Sequence, residues 1–174
     1  MGRKRPASRL VIMANQSVFS SEKVHLVDAR ILAFSIGHSQ ENYFNSDDLI
    51  STEFRVHSEE SLNPDDRLIR IILRFDVDAL VQAADEGKVP EEIRGLGAFH
   101  LGFAFVVDNF DELVKTPSVS DESYQIDSVL GSHLLAISYS TARGMILVKT
   151  TGTVLEGAIL PIIDPAELMG LEQA

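Results

Sequence analysis

Alternating apolar and polar residues predict β-strands in the first part of the chain. In 67–79 every second residue is apolar and most of the others are charged. A period of two places these two sets on opposite faces of one strand. Segment 53–57 alternates in the same way, and 58–66, which contains Asn63 and Pro64, supplies a turn. The pattern therefore predicts a hairpin of two strands.

Two more strands are predicted, at 24–36 and 98–107. In the later one, the large apolar residues share one face, whereas the other face is small and nearly uncharged. We therefore expect something to pack against this second face as well. Segment 80–97 combines a short helical pattern with glycines and a proline, which predicts an excursion between the third and fourth strands. One helical turn is expected at 110–114 and a polar loop at 116–123.

A long helix is predicted from residue 128, because small residues recur at every fourth position among large apolar ones. The small residues are Ser128, Ser132, Ala136, Ser140 and Gly144. On a helix they form one row, along which another backbone can approach closely. Two interpretations stay open: the row contacts another subunit, or it seats the helix on the chain's own sheet. Gly152 is expected to end the helix.

The segment after this helix is apolar without a clear period. Its large apolar residues are Val154, Leu155, Ile159, Leu160, Ile162 and Ile163. Asp164 and Pro165 can cap and start a short last helix at Ala166. A segment this apolar either covers a core or lines a groove, and both interpretations stay open. A groove on an acidic body suits extended, unfolded or basic polypeptides.

Composition narrows the classes of function. A chain of 174 residues suits one domain, which we place at 24–174 after a basic, partly disordered arm at 1–23. The formal net charge of −11 disfavours nucleic acid as a partner. No uncharged run reaches the roughly 20 residues of a membrane span. Cysteine is absent, which rules out disulfides and permits a cytoplasmic location.

Candidate chemistry is sparse. No phosphate loop, nucleophile elbow or metal-ligand pair is present. His133 and Ser140 lie two helical turns apart, about 10 Å, which is too far for a base and its nucleophile. Asp76 and Asp78 are interpreted as charge partners on a strand face. We therefore expect no catalytic residue, no metal, no cofactor and no enzymatic activity.

Two ungapped blocks carry a resemblance to a known family. Block 53–79 holds the predicted hairpin, and block 126–169 holds Leu130-Gly131, Tyr139, Ala142-Arg143, Gly152-Thr153, Leu160-Pro161 and the run 164–168. In this order they resemble the SecB protein-export chaperone family. The resemblance implies an α+β fold: a four-stranded antiparallel sheet followed by a long helix, an apolar crossover loop and a short C-terminal helix.

The same resemblance implies a function and a set of residues. It implies a cytoplasmic homotetramer, a dimer of dimers, that holds unfolded polypeptide clients without ATP during protein export. The implied client-binding residues are Phe54, Val56, Val154, Leu155, Ile159, Leu160, Ile162, Ile163, Leu168 and Met169. The long helices lie between dimers in this family, which assigns the small row, Ser128, Ser132, Ala136, Ser140 and Gly144, to the oligomer interface.

The departures from the family leave alternatives open. In the export chaperones, acidic residues on the first and fourth strands contribute to docking of the translocase motor SecA. Here the matching stretches, 29–36 and 99–105, carry no acid, which counts against SecA as a partner. The nearest alternative is a SecB-like chaperone of a toxin–antitoxin system. A small apolar-ligand-binding protein or enzyme, and a purely structural oligomer, are the alternatives from other classes.

Overall fold

A four-stranded antiparallel sheet dominates the computed structural model, which describes residues 10–13, 19–38, 49–83, 91–115 and 124–165. Its strands are β2 (Val24–His38), β3 (Leu49–Asn63), β4 (Leu68–Ala83) and β5 (Glu91–Val107). They lie in the order β2-β5-β4-β3, so β2 and β3 are the two edges. All three ladders are antiparallel. The four predicted strands are thus confirmed, each longer than its sequence pattern indicated.

A second, small sheet joins the N-terminal segment to the rest of the chain. It consists of β1 (Leu10–Met13), β7 (Tyr124–Asp127) and β6 (Val114–Lys115), in the order β1-β7-β6. Strand β1 runs parallel to β7. Part of the segment that we assigned to a basic arm therefore pairs with the fold. Residues 1–9 lie outside the described part of the chain, and the division at residue 23 stays a prediction.

The alternating pattern of β4 and β5 explains the core. Their inward-facing side chains are Ile69, Ile71, Leu73, Phe75, Val77 and Ala79 on β4 and Phe99, Leu101, Phe103, Phe105 and Val107 on β5, all buried. The β3–β4 hairpin is confirmed, but β3 continues through Asn63, so the turn is shorter than the predicted 58–66. The amide of Arg67, a residue with φ of 52°, donates to the Pro64 carbonyl 3.1 Å away and closes this turn.

The predicted excursion at 80–97 is wrong for the residues that the structure describes there. β4 continues to Ala83 and β5 begins at Glu91, and these two residues are paired. Gly95 and Gly97 lie inside β5, where they leave space for side chains of the crossover. A Cβ on Gly95 would lie 2.8 Å from both γ-methyl groups of Val154, and one on Gly97 would collide with Leu155. These glycines mark the place where the crossover approaches the backbone of β5 closely, and they do not belong to a loop.

The long helix α2 (Ser128–Thr150) begins where the sequence predicted. The Asp127 side chain caps it by accepting hydrogen bonds from the amides of Val129, at 3.0 Å, and Leu130, at 3.1 Å. Gly152 follows the last turn with φ of 74°, a conformation that favours glycine. The helix packs on the inner face of the sheet, over β4 and β5.

The α+β fold is confirmed as a four-stranded antiparallel sheet, a long helix and an apolar crossover at 151–165. The helical turn predicted at 110–114 is α1 (Phe110–Leu113). The polar loop predicted at 116–123 lies outside the described residues. The same is true of the last helix from Ala166, with Leu168 and Met169.

Candidate functional site

The crossover separates into buried and exposed apolar residues. Val154, Leu155 and Leu160 are almost inaccessible, with Leu155 0% exposed. Val154 and Leu155 fill the space above Gly95 and Gly97 of β5. These three predicted client-binding residues thus belong to the chain's own core and lie beneath any surface that a client could reach.

The other apolar crossover residues point outward. Ile159 is 52% exposed and Ile162 is 85% exposed, while Ile163 is half-buried. The charged side chain of Glu156 bonds within the crossover, where its carboxylate accepts a hydrogen bond of 2.9 Å from the amide of Gly152. Apart from Asp164, the large exposed side chains of this segment are therefore apolar.

A cleft lies between α2 and the crossover, with a volume of about 370 Å³. We call it the helix–crossover cleft. Its lining residues are Ala136, Tyr139, Ser140 and Arg143 from α2 and Pro161, Ile162, Ile163 and Pro165 from the crossover. Only Arg143 among them is charged. A wall of this kind offers apolar contact and few fixed hydrogen-bonding positions.

Tyr139 fixes one wall of the cleft. Its hydroxyl donates a hydrogen bond of 2.9 Å to the carbonyl of Pro161, and its ring centroid lies 5.8 Å from that of Phe75 on β4. Burial raises the pKa of Tyr139, and nearby Arg143 lowers it by less. The phenol therefore remains neutral at physiological pH and keeps the proton that it donates to the crossover.

Strand β3 brings two more predicted residues to the same side of the sheet. Phe54 and Val56 are half-buried and stand opposite Val77 and Phe75 of β4, so they share the inner face. Val56 is therefore one strand away from the Phe75 ring that contacts Tyr139. Five of the ten predicted client-binding residues are accessible on this side: Phe54, Val56, Ile159, Ile162 and Ile163.

The small row of α2 does not seat the helix on its own sheet. Ser128 and Ser132 are half-buried, and Ala136, Ser140 and Gly144 are exposed. A Cβ on Gly144 would meet nothing within 4 Å. The row is flanked by the exposed apolar residues Val129, Ile137, Leu147 and Val148. The outer face of α2 is thus small and apolar, and near Ala136 and Ser140 it merges with the cleft.

Sequence reasoning missed an apolar margin along the edge strand β2. Leu26, Val27, Leu32 and Phe34 are all exposed there. The Phe34 ring stacks on Phe99 with centroids 6.4 Å apart, and the ammonium of Lys149 lies 5.0 Å from the Phe34 centroid. The signal was present in the sequence, because apolar residues are adjacent at 26–27 and at 31–32, and adjacent residues of a strand point to opposite faces.

The described residues hold little catalytic chemistry. Asp76 stands opposite Arg55 in the ladder, whereas Arg74 forms an ion pair of 3.0 Å with Glu59. His133 packs against Phe19, with ring centroids 4.4 Å apart. Within the described ranges, no group of three histidine or acidic side chains could hold a metal ion. None of the helices described there has the length and apolarity to span a bilayer.

Comparison with known proteins gives a likeness in fold. No protein-family model matches the chain, and no curated protein matches it. Among solved structures, the chain is similar to the Mycobacterium tuberculosis SecB-like chaperone Rv1957 in complex with a ChAD peptide from the Rv1956 HigA1 antitoxin. The two share 11% identity with a TM-score of 0.49, over 81% of this chain and 88% of that one. At this identity the likeness concerns the fold alone.

Proposed function

We propose that this protein is a SecB-like chaperone that holds unfolded or extended polypeptides without ATP and catalyses no reaction. The observation that carries the proposal is the helix–crossover cleft, bordered by exposed isoleucines on an acidic protein. The proposed client-binding residues are Phe54, Val56, Ile159, Ile162 and Ile163, joined by Leu168 and Met169 of the last segment.

The chemistry of this surface suits a client without a fixed sequence. Burying one large apolar side chain of a client contributes roughly 1.5–3 kcal/mol, so a few such contacts suffice for holding. Specific small-molecule sites add precisely placed polar groups, and the cleft lining offers few of them. Negative charge on the rest of the protein keeps it soluble while it exposes apolar surface, and it also attracts basic clients.

Assembly is part of the proposal. We expect a cytoplasmic homotetramer, a dimer of dimers, in which the outer face of α2 packs against another copy along Ser128, Ser132, Ala136, Ser140 and Gly144. The exposure of the last three residues and of their apolar neighbours supports this arrangement. Small side chains in rows of spacing four permit close helix crossing at roughly 50°.

We propose that the protein acts in protein export, with toxin–antitoxin control as the alternative. SecA is not included among the proposed partners. The family docks it partly with acids on the first and fourth strands, whereas the matching stretches of this chain, 29–36 and 99–105, carry no acid. An export assay with and without this protein, in cells that lack their own export chaperone, separates the two processes.

The proposed holding activity is tested by light scattering. A chemically unfolded protein is diluted into nucleotide-free buffer with wild-type protein, with Ile162→Asp or with Leu96→Asp. Ile162 borders the cleft, whereas Leu96 is a similarly apolar, exposed residue on the other face of the sheet. We expect wild type and the Leu96 variant to suppress aggregation and the Ile162 variant to lose most of this effect. Equal suppression by both variants would remove the cleft from the proposal.

The volume of the cleft favours one second candidate, a small apolar-ligand-binding protein. About 370 Å³ lies within the range of small-molecule sites. A saturable, one-to-one titration with a fatty acid, together with failure to suppress aggregation, would favour this candidate over a chaperone.

A further inference from the structure

The outer face of the sheet, which α2 does not cover, contains a second depression of about 290 Å³. Its floor is the small face of β5, at Gly102 and Ala104, with Ile72 of β4 beside it. Leu32 packs closely over Gly102. A Cβ added to this glycine would be only 3.1 Å from the Leu32 Cδ1. A register shift between Ile31 and Ala33 leaves Leu32 outside the regular ladder.

Arginines border this apolar floor. Arg30 and Arg70 line the depression, and Arg74 follows on the same face of β4. Asp28 pairs with Arg30, and Glu59 pairs with Arg74 at 3.0 Å. Arg70 is exposed and makes no side-chain hydrogen bond or ion pair with any described residue. Three arginines therefore face two carboxylates, which leaves local positive charge on a chain of net charge −11.

Most charged residues of this face lie near a residue of opposite charge. Arg74 stands opposite His100 on one side and His57 on the other, and its partner Glu59 stands opposite Ile72, the next outward residue of β4. The acids Asp76 and Asp78 come later along β4, towards the other end of the sheet. Of the two arginines that line the depression, Arg30 is paired with Asp28, whereas Arg70 has no partner among the described residues.

We propose that this depression is a docking site for a short acidic segment of a partner protein. We name it the arginine cleft and define it by Asp28, Arg30, Arg70, Leu32, Ile72, Gly102 and Ala104. A carboxylate of the segment pairs with the Arg70 guanidinium, which can donate two parallel hydrogen bonds. A neighbouring apolar side chain of the segment packs on Leu32, Ile72 and the small residues.

Two features of the site favour an acidic segment with an apolar residue as its ligand. The Arg70 guanidinium has no partner among the described residues, so a carboxylate of an acidic segment can pair with it without displacing another acid. The floor is apolar, so a purely ionic ligand would leave it uncovered. The site lies on the opposite side of the sheet from the helix–crossover cleft, so client and partner can bind together, and the inference does not rest on the proposed holding activity.

The probe is a short fluorescent peptide of alternating aspartate and leucine, and its counterpart has lysine in place of aspartate. Fluorescence anisotropy is measured with wild type, Arg70→Gln and the matched control Arg55→Gln. Arg55 is an exposed arginine on the same face, two residues from His57 along β3 and outside the cleft. We expect the aspartate peptide alone to bind, Arg70→Gln to weaken it about three- to tenfold, and Arg55→Gln to leave it unchanged.

Three results would overturn the inference: no binding of the aspartate peptide, binding of the lysine peptide equally well, or equal weakening by both arginine variants. Ile162→Asp is included because the leucines of the peptide could enter the client cleft, and unchanged binding to this variant supports the outer site. Sedimentation velocity of Arg70→Gln completes the test. A lower assembly mass would assign the arginine cleft to a second copy of this chain and reject a separate acidic partner.

Discussion

Leu155 and Ile159 provide the sharpest test of how the crossover is organised. The family resemblance assigned both residues to a client-binding groove, and in a groove their substitution should leave the fold intact. In the structure Leu155 is 0% exposed and packs over Gly97, whereas Ile159 is 52% exposed. Leu155→Ala should therefore behave as a core truncation, and Ile159→Ala as a surface change that affects client binding.

The expected magnitudes differ by several fold. Removing a buried leucine side chain costs about 2–5 kcal/mol, because its apolar contacts are lost and a cavity remains. For a chain of this length that corresponds to a fall in Tm of roughly 5–15 °C. An exposed position with no special role changes stability by about 0.5 kcal/mol or less. Ile159→Ala should thus keep the wild-type Tm and lose part of its suppression of client aggregation.

Thermal unfolding is followed by circular dichroism at one fixed protomer concentration, because assembly makes Tm depend on concentration. Light scattering of a diluted, unfolded client is measured on the same samples. A wild-type Tm for Leu155→Ala would show that the crossover does not belong to the core. A large fall in Tm for Ile159→Ala would show that the exposed residues support the fold and would remove them from the client surface.

Three further predictions concern other positions. Gly97→Ala should lower the free energy of unfolding by about 1–3 kcal/mol through overpacking, whereas Gly37→Ala, with nothing within 4 Å of the added Cβ, should leave it nearly unchanged in urea titrations. Tyr139→Phe should cost about 1 kcal/mol through the lost hydrogen bond to the crossover. Because the pKa of Tyr139 is raised, the neutral phenol contributes its full stabilisation below the ordinary value of about 10 and loses it as pH rises through the folded-state pKa. The difference in unfolding free energy between wild type and Tyr139→Phe should therefore shrink in that range. Ala136→Leu with Ser140→Leu should reduce the assembly mass in sedimentation velocity with little loss of secondary structure, and an unchanged mass would exclude this part of α2 from the interface.

The sequence predicted the elements whose apolar residues have a clear period. Strand β4 alternates over its whole core face, and small residues recur at every fourth position of α2, so both were recognised. A periodic pattern of apolar residues does not predict the structure where packing depends on residues that are distant in the chain. Gly95 and Gly97 have the composition of a loop, and only the crossover lying on them explains their place within β5.

The candidate site was predicted less completely, for the same reason. The crossover has no period, so nothing local separates Leu155 inside the core from Ile162 on the surface. The separation arises because the chain turns at 151–158 and is then held to α2 by the hydroxyl of Tyr139. The arginine cleft was equally inaccessible to sequence reasoning, because it assembles residues from β2, β4 and β5.

Strand β5 connects the two proposed surfaces. On its inner face Gly95 and Gly97 admit the crossover, which sets the position of the helix–crossover cleft. On its outer face Gly102 admits Leu32 and forms the floor of the arginine cleft. Larger residues in place of Gly95 and Gly97 would push the crossover outward, whereas a larger residue in place of Gly102 would fill only the arginine cleft. The glycines of this single strand therefore let a thin sheet carry both proposed surfaces, one for a client on the inner side and one for a partner on the outer side.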